Sequence, residues 1–267
     1  MNRVIFSVVM LLSIASCSRV EVNEESFDLL SSNEFVTFNT RIAQTRATEV
    51  EFENSDLISV FASENKDGSL QQSNFADNRK YVFQSSIFKP ASTADGILYN
   101  KSSAPLTYYA VYPYSSNYKT PNISFTVKTN QSNVSDYYSS NLMAAHSEAS
   151  EDGNVELEFN HMMSKVVITL QSNELPVGTQ TALFNNVYKA CDLNLNTKEV
   201  TFTGSTTSIT PCSNGANSFK VLLPPQVIVS GTSFFQFSIG GYSWVWKPVA
   251  TIILNPGVEY KYTMYLN

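Results

Sequence analysis

Residues 258–267 read Val258-Glu259-Tyr260-Lys261-Tyr262-Thr263-Met264-Tyr265-Leu266-Asn267, and the reading of this stretch decides the fold class. Val258, Tyr260, Tyr262, Met264 and Leu266 fall on one side of an extended chain, and Glu259, Lys261 and Thr263 on the other. That is the two-residue period of a strand with one buried face. Upstream the period recurs. Val155, Leu157 and Phe159 oppose Glu156 and Glu158; Ile123, Phe125 and Val127 oppose Ser124, Thr126 and Lys128; Val36, Phe38, Thr40 and Ile42 share a face. Apolar or aromatic runs at 57–61, 81–83, 97–99, 106–112, 165–170, 193–202, 219–223, 235–239 and 242–246 are separated by turn signals such as Asp67-Gly68, Asp95-Gly96, Pro113 and Gly240-Gly241. No convincing amphipathic helix interrupts them. The chain therefore reads as all-β, and two runs of short antiparallel strands predict two tandem β-sandwiches, each sheet having one oily face to cover. The polar stretch 147–154, with Asp152-Gly153, predicts the boundary between an N-terminal sandwich over 34–153 and a C-terminal one over 154–267, although a hairpin loop has the same composition.

The amino terminus carries a different signal. Arg3 precedes the apolar run 4–12, and small residues lead to Cys17, the pattern of a secretory signal peptide over 1–16. The apolar run is too short for the roughly 20 residues that cross a bilayer. A cysteine directly after the small residues resembles a bacterial lipobox, which predicts acylation of Cys17 and a membrane anchor there. Residues 17–33, with Glu21, Glu24, Glu25 and Asp28, read as an acidic tether.

The whole chain carries 17 Lys and Arg against 23 Asp and Glu, and an acidic chain is repelled by phosphate backbones, so nucleic acid is excluded as a partner class. With Cys17 assigned to lipid, Cys191 and Cys212 remain, and both a disulfide between them and two separately buried thiols stay open. Catalytic motifs are absent: no nucleophile elbow, zinc-protease helix motif, phosphate loop or calcium ladder occurs, and no cofactor or metal is expected. His161, in Asn160-His161-Met162-Met163, reads as a packed or hydrogen-bonded histidine, and His146 offers no better case for a general base. Glu148, Glu151, Asp152, Glu156 and Glu158 read as solvation of a loop and an outer strand face. Tyr108, Tyr109, Tyr112, Tyr114 and Tyr118 could form a sugar-stacking platform, the basis of an alternative glycan-binding reading, but read first as core, as do Trp244 and Trp246.

Six stretches carry a resemblance through nearly the whole mature chain. They are Thr45-Arg46-Ala47-Thr48, Asp56-Leu57-Ile58-Ser59-Val60-Phe61-Ala62, Tyr109-Ala110-Val111-Tyr112-Pro113-Tyr114, Ser140-Asn141-Leu142-Met143-Ala144, Phe159-Asn160-His161-Met162-Met163-Ser164-Lys165-Val166 and Gly257-Val258-Glu259-Tyr260-Lys261-Tyr262. In this order, behind a lipobox, the chain resembles the fimbrillin-like proteins of Bacteroidetes. The resemblance implies two transthyretin-like sandwiches, export to the outer membrane surface as a lipoprotein, and assembly with other fimbrial subunits by strand addition. It further implies cleavage at Arg46 or Arg41 by an arginine-specific protease, loss of a first strand carrying Val36, Phe38 and Ile42, and insertion of a neighbour's strand. Val258, Tyr260, Tyr262, Met264 and Leu266 are the corresponding candidate donor. Because Asn267 follows that strand at once, a tip, anchor or accessory role is expected beside a stalk role.

Overall fold

The computed structural model describes residues 35–43, 51–99, 104–148, 150, 152–172 and 174–266. The predicted signal peptide, tether, Cys17 and Arg46 lie outside the described residues. Among those described, the chain forms β1 (Thr37–Ile42), β2 (Leu57–Ser63), β3 (Ala76–Gln84), β4 (Ile87–Pro90), β5 (Thr107–Tyr112), β6 (Asn122–Thr126), a short helix α1 (Val134–Ser139), β7 (Met143–His146), β8 (Asn154–His161) and β9 (Ser164–Gln171). It continues with β10 (Gln180–Asn194), β11 (Val200–Ile209), β12 (Cys212–Ser213), β13 (Ser218–Leu223), β14 (Gln226–Ile228), β15 (Phe235–Ile239), β16 (Tyr242–Trp246), β17 (Ile252–Leu254) and β18 (Glu259–Tyr265). The fold is all-β.

The first sheet closes on itself in the order β1-β4-β3-β2-β5-β7-β8. A sheet closed in this way has no edge strand. The strand that completes the circle is β1, antiparallel to β4 and parallel to β8. Alternation along each strand sends Val36, Phe38, Ile58, Val60, Tyr81, Phe88, Tyr108, Val155, Leu157 and Phe159 into one interior.

Two runs that the sequence shows as continuously apolar, 57–61 and 106–112, are buried on both faces. All six residues of β5 are buried, and its neighbour β2 is nearly so. Tyr108, Ala110 and Tyr112 fill the barrel, while Tyr109 and Val111 join a second core. Phe61 of β2 and Ala144 of β7 join that second core too. One side of the barrel is thus a wall of the next layer.

The rest of that layer is two facing sheets, β11-β10-β15-β16 and β12-β13-β9-β18. Phe219 of the second lies 6.0 Å from Phe235 and 5.8 Å from Phe237 of the first, ring centre to ring centre. A further pair, β14 with β17, stands apart, and β6 leaves the barrel region to pair with the far end of β10.

The expected boundary at 147–154 is the connection within the antiparallel pair β7–β8. Sheet membership changes later, at the buried Met162 and Met163 between β8 and β9. Strand β8, counted from sequence with the C-terminal half, is hydrogen-bonded into the barrel.

Three local features depart from the sequence reading. The apolar run 193–202 is a hairpin. Asn194 Oδ1 accepts from the Asn196 and Thr197 amides, and Lys198 takes a φ of 59°, turning β10 into β11. The longest strand, β10, covers residues the sequence left unassigned, because register shifts near Asn186 and Lys189 break the alternation that would have revealed it. Helix α1 is short, and the Asn133-Val134-Ser135 triplet that matches a glycosylation acceptor is its cap: Asn133 Oδ1 accepts from the Asp136 amide at 2.7 Å.

Candidate functional site

Two strands hold the residues singled out for assembly, and the fold fastens them differently. Strand β1 lies between β4 and β8, with Phe38 opposite Phe88 on one side and six successive residues, Thr37 to Ile42, paired with Asn154 to Phe159 on the other. Val36 and Phe38 are fully buried, and Ile42 packs half-buried on the same core. The Phe38 ring meets Tyr81 at 5.1 Å and Tyr108 at 5.4 Å, both edge to face. Burying each such side chain contributes about 1.5 to 3 kcal/mol.

The polar ties of β1 are on the outside. Asn39 Nδ2 donates to Glu156 Oε1 at 2.7 Å, and the Arg41 guanidinium donates to Glu158 Oε2 at 2.6 Å with its side chain 74% exposed. Exposed pairs of this kind contribute about 0 to 1 kcal/mol. Strand β1 is therefore held by its oily face and by backbone bonds. Removing it would bare Phe88, Val155, Leu157 and Phe159 and leave β4 and β8 with open edges.

Strand β18 runs parallel to β9 through seven successive pairs, from Glu259 opposite Lys165 to Tyr265 opposite Gln171. The faces read from sequence are correct: Met264 and Leu266 are buried and Tyr260 and Tyr262 half-buried on the inner side. Tyr262 lies 4.9 Å from Trp246 of the facing sheet, ring centre to ring centre. Here the polar tie, on the opposite face of the strand, is shielded from water. Lys165 Nζ sits 3.1 Å from Glu259 Oε1, with side-chain exposures of only 7% and 11%, and Lys261 Nζ reaches Glu259 Oε2 at 2.8 Å. Burial alone would raise the Glu259 carboxyl, but hydrogen bonds from Lys261 and Lys165 carry it below its ordinary value.

Arg41 also forms part of an open cleft of about 560 Å³ with His146, Glu148, Glu156, Glu158 and Lys198. His146 lies nearly parallel to Tyr109 at 6.0 Å, exposed and on the far end of β7 from His161. His161 is buried with Nδ1 2.9 Å from Asn141 Oδ1, and burial together with the Lys165 charge lowers its pKa. Among the described residues no group of three His, Cys, Asp or Glu could hold a metal ion.

The tyrosine platform does not form. Tyr108, Tyr109, Tyr112 and Tyr118 are buried at 8% exposure or less, and burial pushes the Tyr108 hydroxyl up to about 12. Only Tyr114 of that group is half-exposed, and Lys80 Nζ covers its ring at 5.3 Å. Both faces of β5 being covered, none of its three tyrosines presents its ring to a sugar. Cys191 and Cys212 are not joined in a disulfide and lie buried on β10 and β12 in the second core. Burial pushes the Cys191 thiol up to about 12.

With this geometry the relatives can be placed. The model of the fimbrillin-like family matches residues 45–267. The chain belongs to the fimbrillin-like family. No curated protein matches it. Among solved structures, a Bacteroides uniformis protein provisionally assigned to cell adhesion shares 20% identity, with 89% of this chain and 95% of that one covered and a TM-score of 0.66. One from Bacteroides ovatus, also provisionally assigned to cell adhesion, shares 17% over 86% and 91%, with a TM-score of 0.67. A fimbrial protein of Bacteroides vulgatus shares 13% over 88% and 96%, with a TM-score of 0.51. At these identities the likeness is one of fold. The fimbrillin-like match begins at Thr45, so it does not include β1.

Proposed function

We propose that this fimbrillin-like chain is a surface-anchored fimbrial or adhesion-associated subunit without catalytic activity, assembling by β-strand addition at the position of β1. In this reading the barrel and the facing sheets are the two transthyretin-like modules of the family. Cys17 carries the lipid that holds the chain on the outer membrane, and cleavage at Arg46 or Arg41 frees the first strand. The observation that carries the proposal is the placement of β1, hydrogen-bonded on both sides and buried through Val36 and Phe38, so that its removal opens a slot between β4 and β8. An incoming strand restores both the apolar contacts and the ladder bonds, the logic of donor-strand complementation. Family membership and the fimbrial and adhesion names of its structural relatives support the same role.

Amino-terminal sequencing of material shed from the cell surface tests the reading. A start at Ala47 or Ile42 is expected. Recovery solely of chains beginning at an acylated Cys17 would count against it.

A further inference from the structure

Strands β14 and β17 form a two-stranded ribbon that is apolar on both faces. Its inner face sends Ile228 and Leu254 into the second core, and Gln226 ties it to β10: Oε1 accepts from the Tyr188 amide at 2.9 Å and Nε2 donates to the Tyr188 carbonyl at 3.1 Å. On the outer face Val227 stands directly opposite Ile253, and the two are 49% and 60% exposed. Val229, two residues further along, is 60% exposed as well. Strand β5 has the same two-sided pattern and is covered on both sides, whereas the described residues leave this outer face open. The face is also held in shape. The Gly231 amide donates to the Pro248 carbonyl at 2.8 Å and the Ser230 hydroxyl to the Val249 carbonyl at 2.9 Å, which joins the loop after β14 to the loop before β17. A surface pinned in this way loses little freedom when something binds to it.

Charge decides what fits there. From residue 221 to residue 258 one residue is charged, Lys247, in a chain that carries 17 Lys and Arg and 23 Asp and Glu. An anionic bilayer draws clusters of basic residues, and a charged protein partner calls for opposite charges; this stretch supplies neither. Its complement is another uncharged face of β-branched side chains, and a second copy of the chain presents one. In a two-fold pair a patch meets itself, so charges of one sign near the axis repel, and a chain of formal net charge −6 has reason to make that contact where it carries none. We infer that the outer face of the β14–β17 ribbon is a self-association surface, on which a second copy lays its own ribbon face to face. The two ribbons stack at the roughly 10 Å spacing of packed sheets, with Val227, Val229 and Ile253 of each filling the space between them. With strands of three residues the contact is small beside the roughly 800 Å² per partner of a stable complex, so the pairing gains force where chains are crowded together. It leaves β1 in place and does not depend on strand addition.

Sedimentation velocity on the full, uncleaved chain, from micromolar concentrations to about 1 mM, tests the inference. A reversible dimer that grows with concentration is expected. Ile253→Asp sets an aspartate near its own copy and is expected to raise the dissociation constant at least about tenfold, a defect that shrinks as salt is added. Its melting temperature should stay that of the unaltered chain, because the side chain it replaces is exposed; if it falls, Val229→Asp, beyond the paired residues of the ribbon, reads the same contact. Val177→Asp alters a bare valine off the ribbon and is expected to leave the dimer unchanged. A chain that stays monomeric over the whole range overturns the inference, as does a dimer that persists in both ribbon variants, which would arise from another surface or from exchanged first strands. Phosphatidylglycerol vesicles serve as a second probe. Pelleting of the unaltered chain with them, lost in Ile253→Asp, would make lipid the occupant and overturn the second copy.

Discussion

Phe38 of the first strand and Tyr81 of β3 meet edge to face at 5.1 Å inside the barrel, with both side chains fully buried. The contact joins a strand whose neighbours are β4 and β8 to one that is not its neighbour in the sheet, so it reports on the filled interior rather than on the ladder. Phe38→Ala is expected to lower stability by about 3 to 5 kcal/mol, the range for emptying a buried phenylalanine site. Urea unfolding checks it, and a loss under about 1 kcal/mol would show that β1 does not hold the barrel together.

Arg41→Ala should behave in the opposite way. Among the described residues its guanidinium is tied to Glu158 alone, at the surface, so the change is expected to cost no more than about 1 kcal/mol, and what cost there is should shrink as salt is added. A thermal melt at low and high ionic strength reads both.

The Glu259 carboxyl titrates below its ordinary value of 4.5 in the folded chain. A group depressed in this way contributes stability that is fully present above the unfolded value and is lost as pH falls through the folded one. The unaltered chain is therefore expected to lose stability as pH falls from the unfolded value of 4.5 toward the lower folded one, and Glu259→Gln, already weaker at neutral pH, to lose less over that fall. Parallel slopes for the two would remove Glu259 from the account.

His161 moves stability in a higher window. Burial and then the Lys165 charge lower its pKa from 6.5, so the unfolded chain takes up the proton first. Stability is expected to fall as pH drops through 6.5 toward the lower folded value, and His161→Gln to flatten that part of the profile. The imidazole proton shifts in an NMR titration give the folded value directly; a midpoint above 6.5 would contradict the burial argument.

For the two thiols the expectation is silence. Cys191 and Cys212 should resist a thiol reagent in the native chain and both react after unfolding without reductant, as mass spectrometry of the labelled peptides would show. Labelling that required reductant would reveal a disulfide.

Much of this was legible from residues alone, and the limits follow a pattern. The faces of β1, β8 and β18 came directly from alternation, because each has one apolar side and one polar side. The double burial of β5 was visible as an unbroken apolar run, but not which core each face served. Strand β10 stayed hidden because its register shifts scramble the period. Lys165 gave no hint of its role: beside Ser164 and ahead of an apolar run it looks like an ordinary solvated charge. It matters because β18, 94 positions downstream of it, sets Glu259 against it.

By itself, the sequence determined the all-β class, the strands with a wet side and the faces they bury, since those follow from a period of two and from where apolar side chains can hide. What only the tertiary structure decided is which strands became neighbours. It put β1 between β4 and β8 and β18 beside β9, covered the tyrosines of β5 on both sides, and sank one lysine below the surface. Burial of this kind is set by what arrives from distant parts of the chain, and a local pattern carries no record of it.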